Sequence, residues 1–293
     1  MLYNFTMDWV TLTALAITSR AFYSIATKLL SGHVKVSPIT HSLLLTTVAG
    51  ILSLLLSPLI GGISFTGIGG YWISILLMVF SQAFGNIFFF KGLKDLDAGT
   101  TQIAFSSILI WGAVLSAVFL GSVFSTIQII GMVLLLLSIL LVQYQGKKLQ
   151  IAPGILDIII SALLFAVFQV ASADLSTNIS SGAYLVLAYF GPSVIIGILY
   201  AKTLVKELSS LKTQLKSTTS NTLFASGTSL GYFIFSFFAY QQAPDRGIVV
   251  VLLTAQVILS VIFGIIFLKE RGNMGKKLLA GILAVIAGIL IKA

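Results

Sequence analysis

Arg20 is the residue whose chemistry most needs accounting for. It stands 11 residues after Trp9 in an apolar run, about 16 Å along a helix and so near the centre of a bilayer that the run would cross. A charge at that depth costs at least about 2.5 to 3.5 kcal/mol, so a binding role is the default expectation. Its planar fork of donors suits a carboxylate. Asp157 and Asp174 lie near opposite ends of their own apolar run and are not expected level with it. Backbone carbonyls or water are the plainer alternative partners. Thr13, Ser24 and Thr27 fall broadly on the same helical face as Arg20, which predicts a wet stripe.

Other apolar runs carry uncharged polar and aromatic residues at helical spacing. Gln82 and Asn86 are one turn apart, and Gln102 precedes Ser106 and Trp111. Gln169 continues the series Ser161, Phe165 and Ser172, while Thr228, Tyr232, Ser236 and Tyr240 recur at steps of four. With Gln256, these are candidate walls of a cavity for an organic solute. Each one alone more often packs helices together, so the convergence of several runs carries the reading. His41 and Asp174 are the candidates for proton coupling, against the plainer roles of interface histidine and helix-end charge. Gly227-Thr228-Ser229-Leu230-Gly231 spells G-x-S-x-G, but within an apolar run and without a supporting histidine motif it reads as small-residue packing. There is no cysteine, clustered-histidine metal site or Walker loop, so no cofactor or metal is expected and enzymatic chemistry is unsupported.

What must position these residues is a set of membrane-spanning helices. Hydrophobic residues make up 58% of the 293 and charged ones 9%, far from the quarter charged of a globular domain. Ten segments are long and apolar enough to cross, at Trp9 to Leu30, Pro38 to Leu59, Gly70 to Phe90, Thr101 to Leu120, Thr126 to Tyr144, Ile155 to Ser176, Ala183 to Tyr200, Thr222 to Gln242, Ile248 to Leu268 and Lys277 to Ile291. The first has no basic leader and reads as a true span, not a cleaved signal.

The +9 net charge is an orientation signal. Alternate loops place Lys28, Lys35, Lys91, Lys94, Lys147, Lys148, Lys202, Lys206, Lys212, Lys216, Lys269, Arg271, Lys276 and Lys277 on one face, leaving Arg246 and Lys292 on the other. The crowded face is expected to be cytoplasmic, with both termini outside, and no nucleic acid is implied. Between Lys202 and Asn221, Leu204, Leu208, Leu211 and Leu215 recur among lysines, which predicts an amphipathic helix lying on the lipid bilayer.

The chain also repeats itself. Asp97 to Leu120 aligns without a gap to Asp245 to Leu268 at an offset of 148, and an offset of 146 pairs Phe22 with Phe168. Each copy belongs to a block of five spans. Five is odd, so the second block must enter the membrane inverted. The expectation is therefore an all-α integral membrane protein of ten transmembrane helices, with residues 1–148 and 149–293 as two inverted five-helix repeats, the layout of an alternating-access carrier.

At Gly264, Phe267, Leu268, Glu270, Arg271, Gly281 and Gly288 the chain resembles the drug/metabolite transporter superfamily, specifically its EamA-type repeat. The resemblance implies a central cavity lined by helices one to four and six to nine, with five and ten outside. Three departures stand out: Gln256 and Val257 replace an early proline of the ninth helix, Ser122 replaces the acidic residue in the first repeat, and Ser19-Arg20 replaces a Trp-Gly pair. The expected function is a secondary-active exporter or exchanger of small organic metabolites, such as amino acids or other carboxylate-bearing solutes. Its expected setting is a prokaryotic plasma membrane, as a monomer or homodimer, with a proton or counter-solute as coupling partner. A channel-like protein or an intramembrane enzyme is the alternative.

Overall fold

A computed structural model describes residues 7–66, 68–120, 124–145, 148–149, 151–175, 179–244, 249, 252–253, 255–270 and 272–292. Helices dominate them. α1 (Trp9–His33) starts where the Asp8 carboxylate accepts the Thr11 N–H at 2.8 Å, filling a donor that the first helical turn leaves unpaired. α2 (Pro38–Leu56) starts on Ser37 with proline in its first turn, where the missing N–H is not needed. α3 (Trp72–Asp95) and the pair α4 (Ala98–Phe105) and α5 (Ile108–Leu120) follow. α6 (Thr126–Gln143) opens on a reciprocal box between Ser125 and Gln128. A ribbon pairing Tyr144 with Leu149 leads into the second half, which contains α7 (Pro153–Leu175), α8 (Ser181–Leu199), α9 (Ala201–Thr213), α10 (Leu215–Gln242), α11 (Gln256–Phe267) and α12 (Met274–Lys292).

Among the described residues 8 helical segments are long and apolar enough to cross a membrane, and α11 is a shorter apolar helix. α1 is 25 residues long, but its polar side chains dilute its apolar character. Large side chains face outward along these helices, with Ile198 71% and Leu55 69% exposed. On a soluble protein such a surface would aggregate; against lipid it costs nothing.

Two differences from the sequence reading have clear physical causes. The run Thr101 to Leu120 is a broken helix. At Ser107, Leu109 and Ile110 the backbone N–H groups bond three residues back, to Ala104, Ser106 and Ser107, at 3.1, 3.1 and 3.0 Å. Ser106 Oγ also donates to the Ile103 carbonyl at 2.5 Å. Serine hydroxyls that bond locally in this way tighten and bend a helix. A second such turn stands before α11, where the Ala255 N–H bonds Leu252 at 3.0 Å, and its two residues are those of the Ser107 to Ala104 bond advanced by 148. The other difference is that α10 begins at Leu215, seven residues before the expected Thr222, because only Gln214 interrupts the helix after α9.

α1 packs along α10, α3 along α7, α2 along α8, α4 along α11 and α6 along α12. The α3–α7 crossing is closest at Gly92, where an added Cβ would stand 2.6 Å from the Gly154 carbonyl oxygen. Glycine is needed there to let two backbones touch. α12 turns Ala280, Ala284 and Ala287 into one cluster with Leu135 and Ile139 of α6 and Val257 and Val261 of α11. That small-residue stripe packs within the molecule.

Candidate functional site

Arg20 is 9% exposed, and the carbon at the centre of its guanidinium lies 4.7 Å from the Tyr23 ring centroid, 5.1 Å from Phe105 and 5.4 Å from Tyr232. Three helices build this box. α1 supplies Arg20 and, three residues on, Tyr23; α10 supplies Tyr232; and α4 supplies Phe105 at its last residue, where the helix breaks. A desolvated cation over one ring gains about 0.5 to 2 kcal/mol. Three rings therefore offset much of the roughly 2.5 to 3.5 kcal/mol that the buried charge costs. Among the described residues no carboxylate pairs with Arg20, whose Nε has no hydrogen-bond partner.

The surrounding polar groups share that condition. Gln102, one turn before Phe105 and 1% exposed, has neither amide oxygen nor amide nitrogen paired, and Gln82 Oε1 on α3, Trp111 Nε1 on α5 and Gln256 Oε1 on α11 are likewise unpaired. Trp111 packs on the same core cluster as Tyr23 and Phe105, and Asn86 is buried one turn beyond Gln82. An unpaired buried polar group costs about 1 to 3 kcal/mol. Several such groups stand on helices α3, α4, α5 and α11, each with a polar atom free to bond a solute or water.

Other expected residues lie elsewhere. Gln169 is exposed on α7. His41 is fully buried at the start of α2, with Nε2 3.2 Å from the Leu30 carbonyl oxygen and its ring stacked on Phe90 at 5.3 Å. The side chains of Asp174 and Tyr240 lie outside the described residues. Asp157 is bound to Lys91 at 2.9 Å. Ser229 of the G-x-S-x-G run meets the Tyr189 hydroxyl at 2.9 Å in mid-helix, without the strand-to-helix elbow a nucleophile needs.

Two acidic residues at the lysine-rich end were not singled out as site residues on the sequence. Glu270 accepts the Ala98 N–H with both carboxylate oxygens at 3.0 Å, capping α4, while Lys277 bonds Asp97 of the same turn at 2.9 Å. Burial pushes the Glu270 carboxyl above its ordinary range; Asp97 adds to the rise, and the Ala98 N–H, Lys277 and Lys28 oppose it. On α9, Glu207 accepts from the Ser37 N–H at 3.1 and 3.0 Å, the Ser37 hydroxyl at 2.9 Å and the Thr40 hydroxyl at 2.5 Å. Burial raises its carboxyl, but these hydrogen bonds outweigh it and hold the group below its ordinary value of 4.5. Lys28, Lys35, Lys94 and Glu207 line an open recess of about 530 Å³ at this end.

Comparison with known families matches residues 7–144 to the EamA-like transporter family. Residues 7–144 belong to the EamA-like transporter family, within the drug/metabolite transporter superfamily. This transporter is accordingly a multi-pass integral membrane protein. A solved crystal structure shares its fold over 96% of this chain and 95% of the other, with a TM-score of 0.61 at 16% identity. No curated protein matches the sequence.

Proposed function

We propose that this transporter is a secondary-active exporter or exchanger of small organic solutes bearing a carboxylate, amino acids among them, working by alternating access around Arg20. The observation that carries the reading is the buried guanidinium held by three aromatic rings with no acidic partner among the described residues. An incoming carboxylate would supply the missing charge-assisted bonds. Gln82, Asn86, Gln102, Trp111 and Gln256 would offer amide and indole groups to the remainder of the solute, and Tyr23, Phe105 and Tyr232 an apolar wall.

The packing pattern supports two inverted repeats, residues 1–148 and 149–293. The first helix of each half lies on the third helix of the other, as α1 on α10 and α7 on α3, while the second, fourth and fifth pair with their own counterparts. The shared turns at Ser107 and Ala255 support it further, since discontinuous helices at matching places in two halves are the usual frame of a carrier site. The lysine-rich end is taken as cytoplasmic, with both termini outside a prokaryotic plasma membrane. A proton or a second solute would drive the cycle.

The test is counterflow in proteoliposomes. Unlabelled amino acids or organic anions outside, but not amines, should accelerate efflux of a labelled carboxylate from within, saturably, and Arg20→Ala should abolish this while the protein still folds. Equal efflux from wild type and Arg20→Ala would refute the charge-recognition role, and efflux indifferent to outside solute would point to a channel.

A further inference from the structure

The inner-end motif G264-x-x-F267-L268-x-E270 has a geometry that explains its spacing. α11 ends as the Leu268 and Glu270 N–H groups both turn back to the Gly264 carbonyl at 3.1 Å, with Lys269 in the left-handed region at φ 58°. This turn swings the Glu270 side chain back over its own helix, where a Cβ on Gly264 would meet Glu270 Oε2 at 2.8 Å. Glycine at 264 leaves room for the carboxylate on its way to α4, which a methyl group there would crowd. On α4 the carboxylate caps Ala98, four residues before Gln102 and seven before Phe105.

We infer that Glu270 is a positioning residue for transport, a latch that closes the lysine-rich end of the pathway and sets α4, with Gln102 and Phe105, against Arg20. The contact joins residues far apart in the chain, and neighbouring groups converge on it. Lys277 of α12 holds Asp97, and Lys28 of α1 donates to the Leu93 carbonyl at 2.7 Å and also to the Leu96 carbonyl, tying down the segment that leads into α4. Ser24 Oγ of α1 lies 3.5 Å from the Ala98 carbonyl oxygen just beneath. The position matching Glu270 in the first half is Ser122, which has no carboxylate to cap a helix. The latch stands at the lysine-rich end, and it must break for that end to open.

This rests on the alternating-access reading, and its test is separate from the counterflow assay. The chain has 0 cysteines, so Thr13→Cys and Thr27→Cys, each seven residues from Arg20 on α1, report on the two sides of the site. Reaction with N-ethylmaleimide is followed in lipid nanodiscs. Glu270→Gln, which keeps the shape and loses the charge, should speed labelling at position 27 by about fivefold, the scale of one lost helix cap, and slow it at position 13. Glu270→Asp should restore much of the original pattern. A cap that only stabilised the fold would let both rates rise together on its loss, with no reciprocal change. That result, or two unchanged rates, would overturn the latch and leave the transport assignment to its own assay.

Discussion

Arg20 answers a question that hydropathy alone leaves open, namely why an apolar helix keeps a charge near its middle. The box of Tyr23, Phe105 and Tyr232 makes the cost bearable without neutralising the charge. Lysine cannot lay a planar group on those rings, so Arg20→Lys should lower counterflow by about tenfold or more, equivalent to about 1.4 kcal/mol, with little change in Tm. A marked fall in Tm would show that the side chain is structural first. The charge and its place midway along α1 were legible in the sequence, because the apolar run around Arg20 is one helix, Trp9–His33. The box was only partly so: Tyr232 stands in a polar series, whereas nothing in the spacing of Tyr23 and Phe105 marks them, and only the meeting of α1, α4 and α10 brings them to Arg20.

At the scale of elements, the helix ends do much of the positioning. Glu207 reaches from α9 to cap α2, so the surface helix is tied to the start of the second span. A carboxyl held below its ordinary value stabilises the folded state while ionised, and that contribution is lost as the pH falls through and below 4.5. Wild type should lose Tm over that acid range more steeply than Glu207→Gln; parallel curves would show that the bonds contribute nothing measurable. Gly264→Ala should cost about 0.5 to 1 kcal/mol by crowding the Glu270 carboxylate that caps α4, read as a Tm loss that disappears in a Glu270→Ala background. Additive losses would mean the two residues act separately. The amphipathic helix between Lys202 and Asn221 was visible in its leucine and lysine spacing. Its single break at Gln214 and the broken helix at Ser106 and Ser107 were not, because hydrophobicity is continuous across both while the backbone bonding changes.

For the whole molecule, the membrane class followed from composition, and the crossing helices from run length. The pairing of helices between halves needed three dimensions, since contacts such as α1 with α10 join residues some 200 positions apart. The doubled sequence predicts that equivalent connections lie on opposite sides of the bilayer. Thr66, between the second and third spans, and Ser209, on α9 between the seventh and eighth, are exposed and stand in corresponding loops. Single cysteines at these two positions, treated with a membrane-impermeant maleimide in sealed right-side-out membranes, test the inverted arrangement directly. Residue 66 should be labelled at once and residue 209 only after the membrane is opened; labelling of both from the same side would contradict it.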